Sequence, residues 1–268
     1  MKLKDKRRTL QIAAFAISNL GFLRILKTGF VCPFLYCHGC PFASFGCPIG
    51  VLQNFIIDGQ FPFFAIGSLG VYGTIFGRTF CGWACPFGSL HDMLSPKNHR
   101  REVKTRNHWY VKYAILFLTL VLAWFASDTV FCKLCPSGSL FAAIPFRLIQ
   151  TGFGEFGSFF YIHMYTLALT VFLALMISRF WCRYLCPLGA MAGAFNKIGM
   201  LTIHWDEQKC SRCNACLDIC VMGITKIEDI GTSTECVLCG RCVEECPEKA
   251  LGFKIRRGSQ LKNLSDFS

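Results

Sequence analysis

The sequence predicts a mainly α-helical membrane protein, with four transmembrane helices in two related two-helix halves and a small α+β domain at the C-terminal end. Three observations predict it. Of the 268 residues, 53% are apolar and only 16% are charged, whereas soluble domains carry about 25% charged residues. Four apolar runs alternate with loops of very unequal Lys and Arg content. Beyond Leu201 the composition changes, and eight cysteines crowd into two short runs. Residues 1–200 therefore form the membrane domain, 201–257 the second domain and 258–268 a polar tail.

The first helix is expected over residues 10–26, behind Lys2, Lys4, Lys6, Arg7 and Arg8. A span needs about 20 apolar residues, so this helix is marginal by itself. The second is expected over 61–77, the third over 110–126 and the fourth and longest over 157–177. Residues 139–149, which hold Pro145 and Arg147, read as a partial or interfacial helix. No cleavable signal peptide is evident, because Asn19 and Arg24 interrupt the first apolar run.

Lys and Arg set the orientation. They gather at the N-terminus, between helices two and three (Arg78, residues 97–106 and Lys112) and after helix four (Arg179, Arg183, Lys197). The opposite loops hold only Lys27, Lys133 and Arg147, with Arg24 near the end of the first helix. This predicts a multi-pass protein of the inner (cytoplasmic) membrane with both termini cytoplasmic. The formal charge of +12 follows the membrane rather than one basic tract with interleaved aromatics, which speaks against a nucleic-acid partner.

The second domain is written around Cys210-Ser-Arg-Cys213-Asn-Ala-Cys216-Leu-Asp-Ile-Cys220 and Cys236-Val-Leu-Cys239-Gly-Arg-Cys242-Val-Glu-Glu-Cys246-Pro247. This is the C-x2-C-x2-C-x3-C run of bacterial ferredoxins, twice. Three closely spaced thiolates wrap one iron–sulfur cube, and the fourth Cys serves the other cube. Cluster one takes Cys210, Cys213, Cys216 and Cys246; cluster two takes Cys236, Cys239, Cys242 and Cys220. Zinc sites separate their Cys pairs by longer loops, and thiols this crowded cannot all reach disulfide geometry. The first run has Val221 where the second has Pro247, which loosens that corner without removing a ligand. Residues 201–204 and 251–255 read as short strands able to pair.

Four C-P-x-G turns recur upstream, at Cys47, Cys85, Cys135 and Cys186, each behind a further Cys (Cys40, Cys81, Cys132, Cys182). On the four-span topology they alternate between outer and inner faces. Pro is tolerated at the first helical position, which sets each Cys at the positive end of a helix, and Gly lets backbone approach a cluster. Cys81, Cys85, Cys182 and Cys186 then make two matching half-sites for a third [4Fe–4S] cluster. The outer-face cysteines fit either a fourth cluster, which symmetry would put on Cys40, Cys47, Cys132 and Cys135, or disulfides. Cys32 and Cys37 are left unassigned. His163 is the His of the predicted spans and is a candidate for a quinol headgroup or haem; an interfacial His beside belt tyrosines is the alternative. Asp58, Asp128 and Glu155 are further proton acceptors near that face.

The two C-x3-C-P motifs and the paired runs together resemble the NapH/NosR-type membrane polyferredoxins. The likeness runs from the first helix to Phe253. It implies a membrane-bound electron-transfer subunit of a quinol dehydrogenase-type oxidoreductase, exchanging electrons between quinone and cytochromes or other redox subunits. The block from Cys32 to Cys47, with Cys132 and Cys135, goes beyond the simpler NapH pattern, and NosR's flavin domain has no counterpart. Other classes use similar clusters: a metal-reductase or assembly factor for another metalloenzyme, or a redox-sensing membrane anchor.

Overall fold

Where helices are forced to stop decides this architecture. The computed structural model describes residues 3–22, 27–28, 30–37, 39–95, 110–149 and 157–256. Arg24, the basic residues of 97–106, Glu155 and the tail over 258–268 lie outside the described residues. Helix α1 (Leu3–Ser18) bears its charges in its first two turns. Helices α2 (Pro48–Ile57), α3 (Phe63–Phe76), α4 (Thr79–Trp83) and α5 (Pro86–Leu94) follow. Next come α6 (Val111–Ala126), α7 (Val130–Leu134), the single turn α8 (Pro136–Gly138), a π-helical turn at Ser139–Ala143 and α9 (Ile144–Ile149). Then α10 (Ser158–Met176), a π-helical turn at Trp181–Leu185 and α11 (Pro187–Ala194) lead to the C-terminal segment. There β1 (Leu201–Trp205) pairs antiparallel with β2 (Leu251–Ile255), and α12 (Ala215–Asp218) and α13 (Arg241–Glu245) lie between them in sequence.

The expectation of four transmembrane helices in two-helix halves is overturned. Among the described residues only α10, with 19 residues, is long and apolar enough to cross a membrane. The other apolar helices are cut short. Pro62 and Gly77 bound α3 at 14 residues, and Gly77 takes a positive φ of 57° that side chains resist. Ser127, left-handed at φ 48°, ends α6 at 16 residues. At 1.5 Å per residue, 14–16 residues reach about 21–24 Å, short of the roughly 30 Å of a bilayer core. Helix α1 stops at Ser18 and buries Arg7, so it is not an apolar span.

Helix α6 packs against α2 and α11, while α10 packs against α5, α7 and α8. Their inward faces enclose one core built from Leu35, Tyr36, Ile49, Phe87 and Leu188. The outward faces are apolar too: Phe63, Phe117, Phe125 and Tyr165 are each at least 70% exposed. The C-terminal segment is locked onto this bundle by buried polar groups. Trp83 Nε1 donates to the Leu238 carbonyl at 2.9 Å, and Asn196 Nδ2 donates to the Ser233 carbonyl at 2.9 Å. Arg78 Nη1 donates to the Thr234 carbonyl at 2.8 Å. Glu235 is buried between Arg78, 3.7 Å away, and Lys112. At Gly82 the two parts come so close that a Cβ would stand 2.4 Å from the Val237 carbonyl oxygen.

Candidate iron–sulfur sites

Each run of the C-terminal segment bends around a cavity. In both, the second Cys is flanked by left-handed residues, Arg212 and Asn214 around Cys213, and Leu238 and Gly240 around Cys239. This wrap costs about 1–2 kcal/mol at each non-glycine position, and it turns three successive thiols to one side. The first cavity is lined by Cys210, Cys213, Cys216 and Cys246. The second is lined by Cys236, Cys239, Cys242 and Cys220, and by Cys216 as well. Each cavity thus gathers three thiols of one run and the last thiol of the other, and the second takes in Cys216 besides. Backbone amides face the sulfurs: Arg212 N lies 3.4 Å from Cys210 Sγ and Ala250 N 3.3 Å from Cys246 Sγ. Burial pushes the Cys236 thiol up to about 12, so it stays protonated at neutral pH unless a metal displaces the proton.

The upstream turns have one local form. Cys47, Cys85, Cys135 and Cys186 each cap a helical segment, with Pro as its first residue. The Gly88 amide lies 3.3 Å from Cys85 Sγ, and the Gly189 amide 3.3 Å from Cys186 Sγ. Cys81, Cys85 and Cys182 stand within electrostatic range of one another, as do Cys81, Cys182 and Cys186. Arg78 Nη2 donates to the Cys182 carbonyl and Arg179 Nη1 to the Cys81 carbonyl, both at 3.0 Å. Each arginine precedes the first Cys of its own turn by three residues and clamps the other turn. In the sequence both read only as topology signals, although R-x2-C-x3-C-P occurs twice.

All eighteen cysteines are free, and among the described residues no three His, Cys, Asp or Glu side chains form a single-ion site. One tetrahedral ion at about 2.3 Å from each sulfur would draw thiols to within about 3.8 Å of each other. Thiols ringing a cavity suit a larger inorganic core.

Two family models described as 4Fe-4S binding domains match the chain, one at residues 60–104, 111–151 and 164–203, the other at 233–252. The ferredoxin-type protein NapH of Escherichia coli is 27% identical over 197 residues, covering 69% of this chain and 65% of that one. The chain groups with the NapH-type polyferredoxins. An uncharacterized protein of Methanocaldococcus jannaschii is 29% identical over 77% of this chain and 85% of its own length. The protein NirI of Paracoccus denitrificans is 31% identical over 67% of this chain but 26% of its own length. No solved structure matches. This NapH-type chain is a ferredoxin-type electron-transfer protein with 4Fe–4S domains. The first model matches three times, each time over an apolar helix leading into a Cys-Pro turn (α3, α6 and α10). The repeating unit is therefore one helix and one turn, not a two-helix half.

The cysteines that exceed the NapH pattern do not sit a membrane's width from the others. Cys85 Sγ is 4.0 Å from the Leu35 carbonyl, and Cys32, Cys40, Cys47 and Cys135 share one core with Cys85 and Cys186. A cavity there is lined by Cys37, Cys47, Cys132 and Cys135; Cys40 is not among its walls. His163 Nδ1 lies 3.0 Å from Ser139 Oγ, which donates to the Cys135 carbonyl at 3.3 Å. Asp58 caps the end of α2, and Asp128 pairs with Lys133.

Proposed function

We propose that this protein is a membrane-associated conduit exchanging electrons between the quinone pool and a soluble or cytochrome-type redox partner. The observation that carries the reading is that neighbouring thiol sets share a residue or pack together. Cys216 borders both cavities of the C-terminal segment. Cys81 packs with Cys220 and Cys239 around Val221, Met222 and Val237. When bound, [4Fe–4S] clusters supply one-electron carriers at such sites. The protein's part is to hold the thiols at fixed separation in an apolar surround, with backbone amides and Arg78 and Arg179 offsetting negative charge.

Lipid contact is favoured by α10, of which only 11% is buried, and by the exposed aromatic faces of α3 and α6. A core helix of a soluble protein would bury such a surface. The basic start of α1 lies against α13, where the Lys4 amide donates to Glu244 Oε1 at 2.9 Å. The basic N-terminus and the C-terminal segment thus share a side, the cytoplasmic one by the positive-inside rule. His163, joined through Ser139 to the Cys135 turn, is the candidate contact for a quinone headgroup.

The test is anaerobic reduction of the full chain in vesicles by a reduced quinone and, separately, by dithionite. Cys85→Ser and Cys186→Ser should abolish quinol-driven reduction of the C-terminal clusters while dithionite still reduces them. Parental quinol rates in both variants would overturn the conduit.

A further inference from the structure

We infer that Cys37, Cys47, Cys132 and Cys135 bind a fourth [4Fe–4S] cluster, and that Cys40, which symmetry would have chosen, takes no part. The inference rests on the iron–sulfur reading of the chain and is independent of quinone exchange. The four thiols line one cavity, walled otherwise by Leu35, Tyr36, Ile49 and Phe131. They are mutual neighbours: Cys135 interacts with Cys37, Cys47 and Cys132. They come from three separate places in the chain, the loop before α2, the first residue of α2's cap and the α7–α8 turn. Cys40 is spoken for on another side, its Sγ lying 3.8 Å from Tyr36 Oη, which itself donates to Asn19 Oδ1 at 2.7 Å. Cys32 turns to its own strand of loop, where its thiol donates to the Phe34 carbonyl at 3.1 Å.

Two further observations point to an anionic occupant. Ser137, only 1% exposed, lines the same cavity, and its hydroxyl has no hydrogen-bond partner. A buried hydroxyl left unsatisfied costs about 1–3 kcal/mol, a cost removed when it donates to a sulfur of the bound group. Gln53, fully buried, donates through Nε2 to Cys132 Sγ at 3.4 Å. Donors aimed at sulfur, with apolar walls and four thiols, fit a thiolate-bound cube.

The experiment is iron and acid-labile sulfide per chain, with EPR of the dithionite-reduced protein, on the anaerobically purified full chain. Four clusters give about 16 iron atoms. Cys37→Ala and Cys135→Ala should each lose about four iron and one EPR signal, while the signals of the C-terminal clusters persist and report that the variant is folded. Cys40→Ala should keep the full complement. About 12 iron in the parent, or a loss in Cys40→Ala matching that in Cys37→Ala, would overturn the assignment. Sixteen iron without quinol-driven reduction leaves it standing and sinks only the quinone reading. If Cys37→Ala does not fold, Ser137→Ala, expected to keep the iron but shift the potential of one cluster, decides; no shift in any cluster counts against the site.

Discussion

Arg179 grips Asp92 with two parallel hydrogen bonds, Nε to Oδ1 at 2.9 Å and Nη2 to Oδ2 at 2.7 Å, both side chains at least nine-tenths buried. Arg241 of α13 reaches the same carboxylate at 3.1 Å, and Arg7 of α1 lies at 3.9 Å. One carboxylate therefore ties the first helix, the Cys85 helix, the Cys182 turn and the C-terminal segment together. Removing one partner of a buried ion pair costs about 3–5 kcal/mol. Asp92→Asn should lower the midpoint of thermal unfolding sharply, followed by loss of cluster absorbance. A midpoint unchanged from the parent would mean that the junction carries no stability.

The pH dependence of this junction has a definite sign. Burial alone would raise the Asp92 carboxyl, but Arg179 and then Arg241 and Arg7 outweigh it and hold it at about 2. A depressed carboxyl stabilises the fold fully above its ordinary value of 3.8 and loses that contribution as pH falls through about 2. The stability difference between parent and Asp92→Asn should be constant from neutral pH down to about 5 and shrink below the ordinary carboxylate value. Denaturant melts at stepped pH check this, and a difference that shrinks already near neutrality would contradict it.

Glu235 faces two buried cations, Arg78 and Lys112. Glu235→Ala strands both, and a loss of about 3–5 kcal/mol is expected. Limited proteolysis should then cut near residues 233–239, where Arg78, Asn196 and Trp83 hold the chain in the parent. A parental digestion pattern would show that these hydrogen bonds suffice without the charge.

Gly82 is where a single methyl group should matter most. Its Cβ would meet the Val237 oxygen at 2.4 Å and Cys239 Cα at 3.2 Å, both backbone atoms. Overpacking of this kind typically costs about 1–3 kcal/mol. Gly82→Ala should retain its iron yet weaken the magnetic coupling between the neighbouring clusters in EPR, because the backbones must separate. Unaltered coupling would show that the segment slides rather than lifts.

His163→Ala should slow quinol oxidation while leaving iron content and dithionite reduction unchanged, and Ser139→Ala should do the same more weakly. Parental quinol kinetics in His163→Ala would move the headgroup elsewhere.

The Cys runs were legible because ligand spacing is a local property: three thiols within seven residues can reach one cube whatever surrounds them. The form of the Cys-Pro turns was legible for the same reason, since Pro and Gly act on their own backbone. Helix count was not. Hydropathy marks apolar residues, but Pro62, Gly77 and Ser127 decide where helices end, and α3 and α6 stop short of a span. The pairing of Asp92 with Arg179 and of Glu235 with Arg78 joins residues 87 and 157 positions apart, and no periodicity records such distances. Symmetry alone does not choose between Cys40 and Cys37: the turns at Cys81 and Cys182 repeat their spacing, whereas the Cys40 to Cys47 segment is longer, and it is Cys37 that lines the cavity with Cys47, Cys132 and Cys135.

Gly82 lies directly beneath Val237, so bundle and C-terminal head meet backbone to backbone. A tethered carrier commutes, and its traffic is limited by how often the head swings into reach. On the proposed conduit reading the thiol sets sit on packed parts of one chain, so tunnelling, which decays exponentially with separation, would work over a gap set by the fold. On that reading, control of flow would come from the relative potentials of the stations and from what docks at either terminus, rather than from a swinging arm.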